Sequence, residues 1–412
     1  MFCQLDRLRR CLSPRIQRVL DELPTTLDET YERTLLDIDE ENWEYAHAIF
    51  QCIVVALRPL HVEELAGFLA FKSEEEGSFT FEETWRPEDP KDTVLSICSS
   101  LVAIVDGEGS AVIQFSHFSV KEYLTSDRIA QGRVSRFYIP LEPAHFFVTQ
   151  ACLKFMQQEL KFNICGLKSS YLMNRKVEDL DALIEKCIPS YLAYACEFWA
   201  DHLRGIASIE KRDSEIVDSL GNLLDSHLLY WLEVLSLLSK YLVAPKSLLE
   251  ATKWLEVSSI EMHSSGRYYR DTMAKDLSLL AADANRFSVT FADVISASAP
   301  HIYLSALPFA PPSSLVSKLY RDRFPQTIKL LHGEELKWPA MQFSILTGQD
   351  VYDISVHPDG RRVAAGMIAG AAMVFSMTTG ESLFPLSGHG DDVRTIAYGR
   401  GGKRIATGAL FE

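Results

Sequence analysis

Apolar residues recur at helical spacing through most of this chain and switch to strand-like alternation only near its end. Leu5, Leu8, Leu12, Ile16, Val19 and Leu20 predict an amphipathic helix pair over residues 1–22, which Pro24 breaks. Thr26 then precedes an acidic turn with Glu29 three residues on, a capping-box signature that predicts a helix to about Asp37. Another helix is predicted from Trp43 to Leu57, and a short third helix over His61–Ala70 after the turn Arg58-Pro59-Leu60-His61. Residues 72–92 are polar and acidic, with Pro87 and Pro90, and read as a surface insertion before a helix over about Thr93–Ser100. Leu101–Val105 and Ala111–Phe115 are β-rich runs around the turn Asp106–Gly109, which predicts a hairpin. His117–Leu124 enters a closing helix with Ser119 as its expected cap. Helices, a two-stranded wing and a closing helix compose a winged helix over residues 23–126.

Residues 140–297 keep the helical pattern almost without interruption. Leu223–Leu242 carries leucines on nearly every face, which predicts a central, buried helix. Ser298–Ser314 holds Pro300, Pro308, Pro311 and Pro312 and reads as a rigid connector within a linker over residues 298–340, with a short helix at Ser314–Tyr320. Then the stretch Val351–Gly366 recurs 42 residues later as Val393–Gly408. A strand–turn–strand unit at that period reads as the start of a β-propeller, with about one and a half repeats over residues 341–412. The expected fold class is multidomain α+β: a winged helix, an all-α helical domain, and an incomplete β-propeller start of the WD40 type.

Composition narrows the function. The 412 residues leave room for two or three domains, and a hydrophobic content of 47% supports sizeable cores. A net charge of −15 argues against nucleic-acid binding, which needs a basic surface to displace counterions. The third helix carries Glu63 and Glu64 and no Arg or Lys, so it would repel phosphates. Eight scattered cysteines with no CxxC predict buried free thiols in a reducing compartment and no metal site. No apolar run reaches the roughly 18 residues of a membrane span, and Asp6, Arg7, Arg9 and Arg10 rule out a secretory apolar core, so a cytoplasmic location is expected.

Catalytic chemistry is not legible. The nearest approach to a phosphate loop is Gly402-Lys403, but Arg404 fills its hydroxyl position and Ala397 its first glycine position, and it lies between strands. Gly107 and Gly109 belong to a hairpin turn with no helix after it. The pairs Glu63 with Glu64 and Asp179 with Asp181 read as solvated charges. No catalytic residue is assigned, and the chain is expected not to be an enzyme.

Three stretches resemble the winged-helix part of NACHT-type STAND proteins, the NOD-like signalling switches abundant in fungi. They are Leu23-Pro-Thr-Thr-Leu-Asp-Glu-Thr-Tyr31, Leu57-Arg-Pro-Leu60 with Glu64-Leu65, and Phe115-Ser-His-Phe-Ser-Val-Lys-Glu-Tyr-Leu124. Ser298–Pro308 looks like the connector such proteins place before WD repeats. The resemblance covers essentially the whole chain. It implies that residues 1–22 are the last helices of a NACHT module, with that module's phosphate loop lying upstream of Met1. It also implies that His117 would contact the phosphate of ADP if a NACHT module were supplied; from the residues alone, His117 equally fits a helix cap or a satisfied core histidine. The repeats depart from the WD pattern: Phe375-Ser376 stands in the Trp-Asp position, Ala369 replaces the turn Asp, and Gly388-His389 matches only in the second copy.

The function expected is a non-catalytic remnant or fragment of a STAND switch, its winged helix and helical arm linking a nucleotide module to a WD-repeat sensor. The alternative is an interaction scaffold with no nucleotide switch. No cofactor is expected in this chain, although intact relatives bind ATP or ADP. Expected partners are proteins, met through the helical and WD-repeat regions, with no nucleic acid or membrane and with oligomerisation in intact relatives.

Overall fold

A computed structural model describes residues 26–73, 79–81, 83–98, 100–106, 111–206, 213–264, 268–338, 345, 347–358, 362–377 and 380–409. The helix pair expected over residues 1–22 and the glycines of the hairpin turn lie outside these. The described residues divide into two compact units, one within Met1–Ala281 and Asp293–Ala306, the other within Ala282–Ala292 and Leu307–Glu412.

The first unit opens with α1 (Leu27–Leu36), capped as expected by Thr26, whose hydroxyl accepts from the Glu29 N–H at 3.2 Å. Helices α2 (Trp43–Val55) and α3 (Val62–Leu69) follow. Between them β1 (Leu60–His61) pairs with β5 (Ala111–Phe115), and β5 pairs with β4 (Val102–Asp106), so the wing is a three-stranded antiparallel sheet in the order β1-β5-β4. The expected insertion contains its own antiparallel pair, β2 (Phe71–Ser73) with β3 (Phe79–Phe81), and the start of α4 (Pro90–Cys98). Pro90 opens α4 because its fixed φ suits a first helical position, where no N–H is missed. Helix α5 (Phe118–Leu124) closes the sheet and α6 (Asp127–Ala130) follows it. Packing continues beyond residue 126: Phe137 and Ile139 are buried, and the Ile139 N–H donates to the Leu124 carbonyl at 2.9 Å.

The helical region comprises α7 (Leu141–Glu159), α8 (Leu180–Cys187), α9 (Ser190–Arg204), α10 (Asp213–Asn222), α11 (Leu228–Leu237), α12 (Val243–Ser264), α13 (Tyr268–Thr290) and α14 (Ala292–Ala297). Every residue of α11 except Tyr230 is buried, as its all-round leucines require. The helix is shorter than the expected 223–242, because Leu223–His227 forms a π turn and Ser239 takes a left-handed conformation with φ 57°. Buried Glu233 on α11 accepts from the N–H groups of Asn163 and Ile164 and from the Tyr303 hydroxyl, so both of its carboxylate oxygens are engaged. None of the described helices is long and apolar enough to cross a membrane.

The segment expected as a connector is folded. Ser298, Ala299, Ile302, Tyr303 and Ala306 are buried in the first unit, and the Ser298 hydroxyl donates to the Leu172 carbonyl at 2.9 Å. In the second unit, Asp283 gathers the Ser314 hydroxyl (2.6 Å), the Val316 N–H (2.9 Å) and the Trp338 indole N–H (2.6 Å). The prolines stiffen this stretch without extending it, since apolar side chains between them supply a core face.

The second unit also holds a four-stranded antiparallel meander, β6 (Val351–Val356), β7 (Arg362–Met367), β8 (Ala372–Ser376) and β9 (Ser382–Leu386), followed by the hairpin β10 (Val393–Tyr398) and β11 (Ile405–Ala409). The 42-residue repeat is a structural repeat. Hairpins β6–β7 and β10–β11 carry the same register shift at equivalent places, between Val351 and Asp353 and between Val393 and Thr395.

Candidate functional site

In a winged helix that reads DNA, the third helix would enter the major groove. Here that helix is α3, and it is covered. Leu65, Ala66, Gly67, Phe68 and Leu69 are buried, and Phe68 and Gly67 pack on α7 and α9. The Phe68 ring meets Phe155 and Tyr194 edge-on, both with centroids 5.6 Å away. Gly67 is a contact point, for a Cβ there would lie 2.8 Å from the Cβ of Tyr191.

Glu64 corrects one sequence expectation. It is 1% exposed, not solvated. Arg58 donates to it with both terminal nitrogens, at 2.8 and 2.7 Å, and the His61 N–H donates to it at 2.8 Å. The carboxylate therefore trades water for three donors, which is the condition for burying a charge. The Arg58 guanidinium also lies over the rings of Tyr194 (5.1 Å) and Phe198 (5.6 Å) on α9. The dipeptide Arg58-Pro59 thus ties the winged helix to the helical region.

A hydrogen-bonded chain runs along the same seam. The Leu57 N–H donates to the Tyr194 hydroxyl at 3.4 Å, that hydroxyl meets His202 Nε2 at 2.9 Å, and His202 Nδ1 meets His145 Nδ1 at 3.1 Å. With Tyr194 donating to Nε2, the neutral His202 ring donates from Nδ1 to His145. Burial pushes His202 down to about 3, and the neighbouring His145 adds to the shift. The Tyr194 phenol moves the other way, upward, also chiefly through burial. Arg58 was legible only as part of a motif, and the sequence alone did not single out Tyr194 or His202. The signal was present as an aromatic stripe, Tyr191, Tyr194 and Phe198, at helical spacing on α9.

His117 sits on a different part of the winged helix. Its backbone is extended (φ −153°, ψ 145°), and its Nδ1 accepts from the Ser119 N–H at 3.2 Å. The cap of α5 is therefore His117, in place of the expected Ser119. A serine side chain two residues inside the helix is past the capping position, and here its hydroxyl bridges His117 Nδ1 (2.6 Å) and the Tyr31 hydroxyl (2.7 Å). The imidazole is exposed beside Phe118, which is 69% exposed. With Nδ1 engaged, the neutral ring keeps Nε2 as its outward donor.

In the repeats, His389 of the Gly-His pair meets the Thr407 hydroxyl at 2.7 Å, and Phe375, standing where a Trp-Asp pair would begin, is buried. Ala369, in the place of the turn Asp, takes a left-handed conformation with φ 58° and donates its N–H to Asp392. Among the described cysteines, Cys52, Cys98, Cys152, Cys165 and Cys196 are buried and unbridged, and burial pushes each thiol up, away from the reactive thiolate.

A covered third helix, a small antiparallel wing and a capped closing helix can be set against known proteins. Residues 31–140 match the winged-helix domain family of GPI inositol-deacylase. That segment is a winged helix. Its end at residue 140 agrees with the packing of Phe137 and Ile139. The chain is also similar to the vegetative incompatibility protein HET-E-1 of Podospora anserina, at 26% identity over 365 residues, which is 84% of this chain and 24% of that protein. A second relative is the azaphilone pigments biosynthesis cluster protein L of Monascus ruber, 31% identical over 187 residues, 44% of this chain and 36% of that protein. The chain thus matches about a quarter to a third of the length of these relatives.

Proposed function

We propose that this chain is the non-catalytic arm of a STAND-type signalling switch. The winged helix and helical region act as one lever, and the 42-residue repeats are the root of a propeller-type sensor for a protein ligand. In the assembled switch, a NACHT module supplies the nucleotide, and His117 donates from Nε2 to a phosphate of ADP and holds the resting state. The residues fit that limited part: an exposed imidazole with one nitrogen fixed by Ser119 offers one donor to an anion. One donor does not hold a nucleotide, so this chain alone neither binds ATP tightly nor hydrolyses it.

The observation that carries this reading is the burial of α3 against α7 and α9. It covers the helix that would read DNA, which supports a winged helix that moves together with the helical region. The similarity to a vegetative incompatibility protein over most of the chain supports a signalling role. A thermal-shift titration with ADP and with ATP tests it. The melting temperature should stay constant, whereas a saturable rise would mean that this polypeptide carries a nucleotide site of its own.

A further inference from the structure

Folding takes the Glu233 carboxylate out of water without giving it a cation. The residue sits on α11 and is 3% exposed. Its three donors are the N–H groups of Asn163 and Ile164 and the Tyr303 hydroxyl. All three are neutral, and Oε1 receives only the one from Ile164. Among the described residues, no Lys or Arg forms an ion pair with it. A buried charge is ordinarily matched by an opposite one, because hydrogen bonds alone leave it uncompensated. Burial accordingly holds the Glu233 carboxyl above its ordinary value, against the pull of its hydrogen bonds.

The same residue lines a cavity of about 80 Å³ within the first unit. Phe162 and Tyr303 form an aromatic wall, their rings meeting edge-on with centroids 4.9 Å apart, and Leu167 adds apolar surface. Ser169 and Ser170 bring hydroxyl groups. No cationic side chain is among the lining residues. The loop beside the cavity is pinned in place. Asn163 takes a left-handed conformation with φ 51°, its Oδ1 accepts from the Leu167 N–H at 2.7 Å, and its Nδ2 donates to the Leu167 carbonyl at 3.1 Å. That bracket holds the Asn163 and Ile164 N–H groups on Glu233 whether or not the cavity is filled.

We infer that this cavity binds a primary ammonium group on a short alkyl stem, with Glu233 as its counter-charge and the Phe162 and Tyr303 rings against the cation and its stem. A ring quadrupole attracts a cation, and an ammonium brings three donors to a site whose Oε1 and serine hydroxyls are acceptors. A divalent metal ion fits less well, because it asks for six or more oxygens where these walls are largely apolar. The volume sets the size. A cavity of roughly 150 Å³ takes benzene, so about half that space takes a chain of about three or four non-hydrogen atoms. A free amine and the end of a lysine side chain share this chemistry. The site goes beyond the nucleotide switch and does not depend on it.

The test is saturation-transfer NMR on the full chain with n-propylammonium chloride, set against n-propanol, potassium chloride and a lysine blocked at both backbone ends. Propylammonium should bind saturably with a Kd of about millimolar, n-propanol should not, and equimolar potassium chloride should not displace it. Glu233→Gln keeps the size and one acceptor oxygen but not the charge, and should abolish binding. Phe162→Leu, at a position 54% exposed, should keep the fold and weaken binding about two- to twenty-fold through loss of the ring. Saturation by propylammonium alone assigns a free amine, and saturation by the blocked lysine as well assigns a lysine end; both sustain the site. No saturable binding to the wild type overturns the inference, as does equal binding of n-propanol, displacement by potassium chloride, or unchanged affinity in a folded Glu233→Gln. Should that variant fail to fold, the n-propanol comparison and Phe162→Leu decide, and unchanged affinity in Phe162→Leu also overturns it.

Discussion

His117 and His202 lie in one folded unit, yet their surroundings assign them different work. His117 is exposed and offers a donor outward, while His202 is buried and spends both ring nitrogens on Tyr194 and His145. The consequence for His202 is a pH dependence with a definite sign. Its folded-state value is depressed to about 3, against roughly 6.5 in an unfolded chain. Below pH about 6.5, the unfolded chain takes up a proton that the folded chain refuses. The stability is therefore complete above that pH and is lost progressively as pH falls towards 3. His145 acts in the same sense, lowered first by burial and then by Lys121 and Arg204. Melting temperatures measured from about pH 7 to about pH 4 should decline, and the decline should be shallower in His202→Gln, which keeps a hydrogen-bonding side chain but cannot titrate in that range. Equal slopes in the two proteins would remove His202 from the account.

At the scale of elements, α3 shows how tertiary contact overrules local preference. Gly67 lies inside a helix, where Ala would be favoured by about 1 kcal/mol. Its missing Cβ is what lets Tyr191 close on the helix. Gly67→Ala should therefore destabilise the chain by about 1–2 kcal/mol in urea melts, the overpacking outweighing the helix gain. A stabilising effect would mean that the seam yields more easily than the packing implies. This element also marks the limit of what was legible. Its existence and bounds followed from Val62, Leu65, Phe68 and Leu69 at helical spacing, and the hairpin from β-rich runs around a turn. The fate of Glu64 did not follow, because a carboxylate beside a second carboxylate reads as solvated unless its cation is known. Arg58 lies six residues earlier in the chain, across a turn, and no periodicity brings the two together. The folded state of Ser298–Ala306 was hidden for a related reason: prolines dominate its local pattern, while Ile302, Tyr303 and Ala306 find their partners far away in sequence.

For the whole molecule, the chain combines a winged helix, a helical region and a repeat-bearing β region, and the first two share one seam. That seam carries the proposed function. It consists of Gly67 on Tyr191, Phe68 between Phe155 and Tyr194, Arg58 held by Glu64 and laid over Tyr194, and the chain from Leu57 to His145. The 42-residue repeat was the clearest signal in the sequence because it needs only self-comparison. The seam was the least visible because its members are spread from residue 57 to residue 202. Amide hydrogen exchange tests the central claim most directly. The amides of Val62–Leu69 and those of Ser190–Arg204 should share one high opening free energy and should stay unchanged when duplex DNA is added. Fast exchange of Val62–Leu69 through a local opening while Ser190–Arg204 stays protected, or new protection of that helix by DNA, would contradict it.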